Sequence, residues 1–329
     1  MIKRACTALL CGCALLLVSN VWAADPILIR FSHVVSANDP KGVGALRFKE
    51  LAEARLDNQV RVEIYPQSEL FTDEQVLQAL LRGDVQMAAP SLSKFGSLTN
   101  SLQVFDLPFL FDDVDAVHAF QSSEVGQGLL DAMRDQGVLG LAYWDNGMRV
   151  ISASSPLRSP EDAGGLTFRI ESSDVLEAQY QAVDALPMKL PFSEVYDALR
   201  SGLVDGQENT WSNIASQRFY TLGQQFTELS HNYLGYMVVT AAEFWNGLPD
   251  PIRSELEKIL TEVTAEVSQV ARERAASSRQ TAIDEGAEVV TLSADQRQPW
   301  IEAWKPLRDS FATEIGADVV SAAETAGDQ

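Results

Sequence analysis

The sequence predicts an α/β fold built from two similar lobes. Helical and strand-like patterns alternate along the chain, and its 329 residues, 46% of them apolar, are enough for about two domains with sizeable cores. Segment 75–85 is also echoed by segment 194–204, at a constant offset of 119 residues. Both segments read as a helix that ends at a glycine and leads into a strand. Because such units look alike in unrelated proteins, the echo predicts two similar lobes but not common descent.

The chain begins with the features of an export signal. Lys3 and Arg4 give a positive start, residues 8–18 form an apolar run, and residues 21–23 offer a cleavage site. This run is too short to span a bilayer, and no later segment is long and apolar enough to do so. We therefore expect residues 1–23 to be a cleaved signal peptide and the mature protein to be soluble in the periplasm.

The composition excludes several classes of function. All three cysteines, Cys6, Cys11 and Cys13, lie within the signal, so the mature chain has neither a disulfide nor a cysteine metal site. Loss of Lys3 and Arg4 with the signal changes the formal net charge from −21 to −23. A chain this acidic repels nucleic acid and anionic lipid surfaces, and we expect neither as a partner. Any anion-binding site must therefore be a local cluster of positively charged side chains.

The first half of the mature chain alternates strand and helix patterns. The predicted elements are strands at residues 27–31, 60–65 and 85–89 and a helix at residues 40–56. Before the third strand, Thr72 and Gln75 have the spacing of a capping box. The helix that they begin ends at Gly83.

The second half contains a possible long helix. In the echoed segment, Ser193 is the expected N-cap, and further along Asp250 and Pro251 have the residues of a helix start. Apolar residues then recur at helical spacing as far as about Glu285. One helix of about 35 residues would span about 50 Å and could brace two lobes. Two helices with a break near Ser277 fit the pattern equally well.

No catalytic motif is present in the sequence. His33, His118 and His231 lie in different regions, and there is no nucleophile elbow, zinc-binding helix or phosphate loop. The acidic run at residues 112–115 is more typical of a helix start than of a calcium site. We therefore expect no enzyme activity, no catalytic residue, no metal and no cofactor.

One strand pattern places an arginine opposite the core. Leu166, Phe168 and Ile170 alternate as the buried face of a strand requires, so Arg169 falls on the other face. On spacing alone, Arg169 is either a solvated charge or a group that faces a ligand, and the solvated charge is the commoner case.

Other scarce donors suggest a carboxylate site. Arg149 follows a turn glycine, and Asn209 ends the echoed strand. With Arg169 they offer the donors that a ligand carboxylate needs, and an arginine fork matches a carboxylate in a bidentate way. Ligands of open α/β sheets bind beyond the carboxyl ends of strands. If the lobes face each other, Lys94 and Asn209 approach one cleft from opposite sides.

Six segments carry a further signal, at residues 31–42, 90–98, 106–113, 147–180, 191–220 and 232–249. Together they resemble the extracytoplasmic solute-binding subunit of tripartite ATP-independent periplasmic (TRAP) transporters, and most of all its C4-dicarboxylate-binding type. The resemblance extends over about residues 27–315. It implies a two-lobed periplasmic-binding-protein fold with hinge strands, an interlobe ligand cleft that closes like a Venus flytrap, and one long helix that crosses both lobes.

The resemblance also divides the chain. Lobe 1 is expected to comprise residues 24–147, joined by about 236–275. Lobe 2 is expected to comprise residues 148–235, joined by about 276–329.

Ligand-binding residues follow from the same resemblance. It implies that Arg169 makes the main salt bridge to a ligand carboxylate, with Arg149 as second cation and Asn209 as amide partner. The remaining implied contacts are Lys94 and His33 in the first lobe and, more weakly, Ser172, Ser193 and Tyr236. Repulsion between Arg149 and Arg169 is expected to favour the open form, and the ligand to favour closure. Thr210 stands where the family pattern has proline.

The implied function is capture of succinate, malate or fumarate by lobe closure and delivery to the membrane permease subunits of the transporter. The protein is expected to act as a monomer, without insertion into the membrane. Three alternative functions remain open. They are a solute-binding protein for another organic acid (a sugar acid, a sialic acid or an aromatic acid), a ligand-sensing partner of a receptor, and a secreted enzyme that acts on an acidic substrate.

Overall fold

The computed structural model describes residues 25–327, which form two β-sheets flanked by helices. The predicted signal peptide and its three cysteines lie outside the described residues. The strands are β1 (Ile27–Ser32), β2 (Val60–Tyr65), β3 (Met87–Ala88), β4 (Val138–Met148), β5 (Val150–Ala153), β6 (Thr167–Ile170), β7 (Leu186–Lys189), β8 (Gly206–Asn209), β9 (Gln225–Glu228), β10 (Tyr233–Ala241) and β11 (Glu288–Thr291). The helices are α1 (Pro40–Arg55), α2 (Asp73–Arg82), α3 (Val114–Ser122), α4 (Glu124–Gly128), α5 (Asp174–Gln181), α6 (Val195–Ser201), α7 (Trp211–Ser216), α8 (Ala242–Gly247), α9 (Asp250–Asp284), α10 (Ala294–Ile315) and α11 (Ala317–Gly327).

The two sheets define two lobes, and the predicted fold class is confirmed. The first sheet has the order β2-β1-β3-β10-β4, and the second has the order β11-β9-β5-β8-β6-β7. Each sheet combines parallel pairs, such as β1 with β2 and β6 with β8, with antiparallel pairs. Only Arg149 separates β4 of the first sheet from β5 of the second. This arginine therefore lies where the chain crosses between the lobes.

The echoed segments occupy similar places in the two lobes. Helix α2 ends at Gly83 with φ 78°, and α6 ends at Gly202 with φ 72°. Glycine adopts this left-handed conformation without steric cost, so it ends both helices before a strand. The capping box of Thr72 and Gln75 is confirmed at the start of α2.

Two local predictions in the echoed segments need correction. The strand predicted at residues 85–89 is shorter, because only Met87–Ala88 pair regularly and Pro90 has no N–H for the ladder. Ser193 does not cap α6. It lies inside a 3-10 turn, Phe192–Glu194, and the helix begins at Val195.

Helix α9 is continuous over 35 residues, so this segment is one long helix and not two helices with a break near Ser277. Its first half packs in the core of the first sheet through residues such as Leu256 and Val263, and Ala282 near its end belongs to a core of the second sheet. At Gly44 in α1, an added Cβ would lie 2.4 Å from Cγ2 of Val267, so glycine permits the close approach of the two helices. Helix α9 thus braces both lobes.

The C-terminal helix departs from the predicted lobe assignment. Val319 and Val320 of α11 pack with Val117 and Phe120 in the core of the first sheet, although residues 276–329 were assigned to the second lobe. Trp300 and Trp304 of α10 do belong to a core of the second sheet. The other lobe boundaries stay a prediction. None of the helices within residues 25–327 is long and apolar enough to cross a membrane.

Candidate functional site

Loops from the two sheets meet in a closed cleft lined with buried polar side chains. Ser91 and Ser93 follow β3 of the first sheet, and Glu171 follows β6 of the second. Ser91 Oγ donates a hydrogen bond to Glu171 Oε2 at 3.1 Å. This contact joins the lobes at the carboxyl ends of their strands, which is where α/β sheets bind ligands.

Arg149 is surrounded by carboxylates of the protein itself. Its side chain is 1% exposed and contacts Glu208 at 3.0 Å, Glu171 at 2.8 Å and Asp106 at 3.5 Å. Burial lowers the pKa of Arg149, but these three carboxylates outweigh burial and raise it. They also offset the expected repulsion between Arg149 and Arg169. The arrangement favours Arg149 as a link between the lobes more than as a free cation for a ligand.

Arg169 has an unpaired guanidinium edge. The side chain is buried, and its Nε donates to the carbonyl oxygen of Leu190 at 3.0 Å. Its Nη2 is buried without a hydrogen-bond partner, and no carboxylate of the described residues lies within 4 Å. Burial and the nearby Arg149 lower the pKa of Arg169, although Glu171 opposes this. A planar, desolvated edge of this kind fits a carboxylate in a bidentate way.

Strand β6 explains why Arg169 and Glu171 are buried. Phe168 and Ile170 are fully buried in the core of the second lobe, and Arg169 and Glu171 lie on the opposite face. That face is covered by the first lobe, so it is a cleft wall and not a solvated surface.

Lys41 is a buried cation that the sequence analysis missed. Its Nζ donates to the carbonyl oxygen of Ala89 at 2.8 Å and lies 3.7 Å from the ring centroid of Tyr236. Burial lowers the pKa of Lys41, and the nearby carboxylates of Asp73 and Glu171 offset this shift only in part. A lysine in the first turn of α1 opposes the helix dipole. This unfavourable position is the one signal in the sequence that could have indicated a role for Lys41 beyond the surface.

Three predicted contacts from the first sheet lie near Lys41. Burial and, to a smaller extent, the charge of Lys41 lower the pKa of His33 to about 3, so its imidazole is neutral. Both ring nitrogens of His33 are buried and lack a hydrogen-bond partner within residues 25–327. Lys94 is buried and pairs with Glu74 at 2.5 Å. The hydroxyl of Tyr236 accepts a hydrogen bond from Asn146 at 2.7 Å.

Predicted contacts from the second lobe differ in their placement. Asn209 is buried, and its Oδ1 accepts from the N–H of Thr210 at 3.1 Å and from Asn213 at 2.7 Å. This leaves the Asn209 amide nitrogen as a donor. Ser172 is half-buried and Ser193 is exposed. Neither of these serine side chains hydrogen-bonds to the part of the cleft that the structure describes.

Further hydrogen bonds hold the two lobes together. Gln103 Oε1, from the first lobe, accepts from the N–H groups of Asp174 at 3.1 Å and Val175 at 3.3 Å at the start of α5. Ser216 of α7 donates to Asp39 Oδ2 at 3.0 Å. Burial raises the pKa of Asp39 to about 6. These contacts exist only when the cleft is closed, so they contribute to the free energy of closure.

The acidic run before α3 has a structural role. Asp113 caps the helix and its carboxylate accepts a hydrogen bond from the N–H of Ala116 at 2.9 Å, as expected for a helix start. Within residues 25–327, no group of three or more histidine, aspartate or glutamate side chains is placed to hold a metal ion.

Comparison with known proteins gives one consistent result. Residues 31–314 match the family model described as bacterial extracellular solute-binding protein, family 7. The chain is 49% identical, over 98% of its length and 95% of the relative's, to the C4-dicarboxylate-binding periplasmic protein of Shewanella loihica. It is similar to the crystal structure of a TRAP periplasmic solute-binding protein from Shewanella oneidensis with bound succinate (49% identity, TM-score 0.90, 92% of this chain and 99% of that chain). A similar protein from Pseudomonas aeruginosa with bound L-malate has 46% identity and a TM-score of 0.85, over 87% of this chain and 100% of that chain.

Proposed function

The chain belongs to the bacterial extracellular solute-binding proteins of family 7, and on this premise we propose that it captures C4-dicarboxylates for a TRAP membrane permease. The relative from Shewanella loihica is named as a C4-dicarboxylate-binding periplasmic protein, and two similar structures hold succinate and L-malate. These names support a periplasmic location and a small organic acid as the ligand. The observation in this chain that carries the proposal is the unpaired guanidinium edge of Arg169.

Arg169 takes one carboxylate of the ligand. Its Nε is already bonded to the carbonyl oxygen of Leu190, so the fork that remains for a ligand is the pair of Nη atoms. A carboxylate in this plane accepts two charge-assisted hydrogen bonds and neutralises a guanidinium that burial otherwise destabilises. Asn209 adds an amide donor from the end of β8.

The second carboxylate is held from the first lobe. Lys41 and Lys94 are buried cations there, and the neutral imidazole of His33 supplies one further N–H donor. A C4-dicarboxylate that contacts Arg169 and these groups reaches both lobes only when the cleft is closed. Ligand binding therefore favours closure by the difference between its contacts in the two states. Because Lys94 already pairs with Glu74, the first-lobe cation that a monocarboxylate leaves without a partner is Lys41, and this is the basis of specificity.

For the whole protein we propose export, a monomeric state and ligand binding without catalysis. Residues 1–23 direct export and are then removed, and the mature chain works as a monomer that releases its ligand to the permease. The protein binds its ligand without converting it. Arg149 does not contact the ligand directly and instead links the closed lobes through Glu171 and Glu208.

A ligand screen by thermal shift tests the proposal. The mature chain, residues 24–329, is heated with succinate, malate or fumarate and with galacturonate, sialic acid or benzoate. A ligand that binds only the folded state adds about 2.7 kcal/mol at a hundredfold excess over its dissociation constant. We expect a clear rise in unfolding temperature with the C4-dicarboxylates.

Butyrate serves as the matched control, because it has four carbons and a single carboxylate. A rise with butyrate equal to that with succinate would remove the second-carboxylate argument. A rise with galacturonate, sialic acid or benzoate alone would replace the proposed substrate.

A further inference from the structure

A second cavity lies beside helix α9, outside the residues of the cleft that are proposed to hold the ligand. Its volume is about 500 Å³, and neither Arg169, Lys41 nor Lys94 lines it. Much of its wall is apolar, through Val150, Trp211, Leu229, Ala271, Ala275 and Leu292. Arg149 contributes to the wall, but its guanidinium is engaged by Glu171 and Glu208. Cavities of 300–1,000 Å³ are typical of small-molecule sites.

Two arginines at this cavity have no acidic partner. Arg272 on α9 and Arg297 on α10 line it, and no carboxylate within residues 25–327 lies within 4 Å of either guanidinium. Nε of Arg297 is buried without a hydrogen-bond partner, and its guanidinium lies 5.4 Å from the ring centroid of Phe109. A buried, unpaired donor beside an apolar wall is unfavourable unless something binds it.

The carboxylates at the same cavity are already occupied. Glu228 accepts from Arg279 at 2.6 Å and from Trp211 at 2.9 Å. Asp145 pairs with His118 at 2.6 Å and accepts a hydrogen bond from Tyr233. The unpaired charge that remains at the cavity is therefore positive, on a chain whose formal net charge is −21.

We propose that this cavity binds an organic monoanion with an apolar body, of the class of medium-chain carboxylates. The apolar side chains accommodate the hydrocarbon part, and the arginine forks donate hydrogen bonds to the carboxylate. A C4-dicarboxylate is a poor occupant, because its second carboxylate would be desolvated against the apolar wall without a partner. The two sites therefore select ligands of different polarity.

The position of the cavity couples it to the lobes. Trp211, Leu229 and Leu292 belong to the second lobe, Val114 and Asp145 to the first, and α9 crosses both. An occupant that touches all of these holds the lobes in the orientation of the closed cleft. This part of the inference rests on the proposed function, and it implies that the monoanion tightens dicarboxylate binding.

Isothermal titration calorimetry with octanoate tests the site itself, on the mature protein without dicarboxylate. We expect saturable binding that weakens at least tenfold in Arg297→Gln, which removes the fork, and in Ala275→Phe, which fills the cavity. Arg274→Gln is the matched control, because this exposed arginine of α9 does not line the cavity. Equal octanoate affinity in all four proteins, or no binding to the unmodified protein, would overturn the site.

A second titration separates the two sites. With succinate saturating, octanoate is expected to bind still, and succinate is expected to bind at least threefold more tightly in the presence of octanoate. Displacement of one ligand by the other would place octanoate in the main cleft and overturn the proposal. Weaker succinate binding without displacement would contradict the coupling. Because octanoate binding is first measured alone, failure of succinate to bind would affect only the proposed function.

Discussion

Replacement of Arg169 by alanine removes the proposed anchor of the ligand. A hydrogen bond to a charged group contributes about 1.5–3 kcal/mol, so the two bonds from the Nη atoms contribute about 3–6 kcal/mol. Since about 1.4 kcal/mol changes a dissociation constant tenfold, we expect the dissociation constant for succinate to rise by about two to four orders of magnitude. Isothermal titration calorimetry measures this directly. Arg169→Lys is expected to lose nearly as much, because lysine keeps the charge without the planar fork.

The control for this experiment is Arg200→Ala. Arg200 is an exposed arginine of the same lobe that pairs with Asp197 on the surface of α6, so its loss should leave succinate affinity unchanged. The ligand-free Arg169→Ala protein should unfold at a similar temperature to the unmodified protein, because the substitution removes a buried cation without an acidic partner and also the Nε hydrogen bond to Leu190. Succinate affinity retained within tenfold in Arg169→Ala would refute the anchor, and near-normal affinity in Arg169→Lys would show that charge alone suffices.

Three other perturbations test the first lobe, closure and protonation. In Lys41→Met, we expect succinate to bind about 10- to 100-fold more weakly and butyrate to be little affected, since one charge-assisted contact to the second carboxylate is lost; calorimetry that shows equal losses for both acids would contradict this. Ser216→Ala removes an interlobe hydrogen bond to Asp39 and should weaken succinate binding about fivefold, corresponding to about 1 kcal/mol, and an unchanged dissociation constant would exclude a role in closure. Burial raises the pKa of Asp39 and of Asp106 to about 6, so both carboxyls lose their protons as pH rises through this value, and the added negative charge opposes a dianion. Succinate affinity should therefore fall several-fold between pH 6 and pH 8 at constant ionic strength, whereas affinity that is flat or rises with pH would contradict the argument.

Features decided by neighbours in the chain were predicted well from the sequence. The capping box at Thr72 and the stop at Gly83 depend on a few adjacent residues, and both are confirmed. The sequence alone does not decide whether α9 is continuous, because Ser277 and Ser278 are weak helix formers whose effect depends on packing. Ser278 is buried in the helix, and Ser277 bonds its hydroxyl to the carbonyl oxygen of Glu273 at 2.9 Å. Tertiary contacts, and not local helix preference, therefore decide whether the helix continues through these serines.

Features that depend on distant partners were predicted less well. Three carboxylates surround Arg149, and the sequence did not predict that Asp106, Glu171 and Glu208 would come together there from separate segments. No local pattern distinguishes these three among the 46 acidic residues of the sequence. The lobe of α11 could not be predicted for a similar reason, because the apolar face of a helix does not show which core the helix will cover.

For the side chains of the cleft, prediction from the sequence was also limited to what neighbouring residues decide. The alternation along β6 predicts that Arg169 lies opposite the core, and only the resemblance to a known family favours a ligand anchor over a solvated charge at this position. No sequence pattern singled out Lys41, although its Nζ lies beside Ala89 and Tyr236 in the cleft. Residues 41, 89 and 236 are far apart in the chain, and only the fold brings them together.

The central claim is that Arg169 binds a carboxylate of the ligand while the first lobe holds the other one. A crystal structure of the mature protein with succinate tests this most directly. We expect one carboxylate to lie in the plane of the Arg169 guanidinium, within hydrogen-bond distance of both Nη atoms, and the other to lie against Lys41 and His33. A complex in which Arg149 leaves Glu171 and Glu208 to bind the carboxylate, with Arg169 making no contact to succinate, would contradict the account.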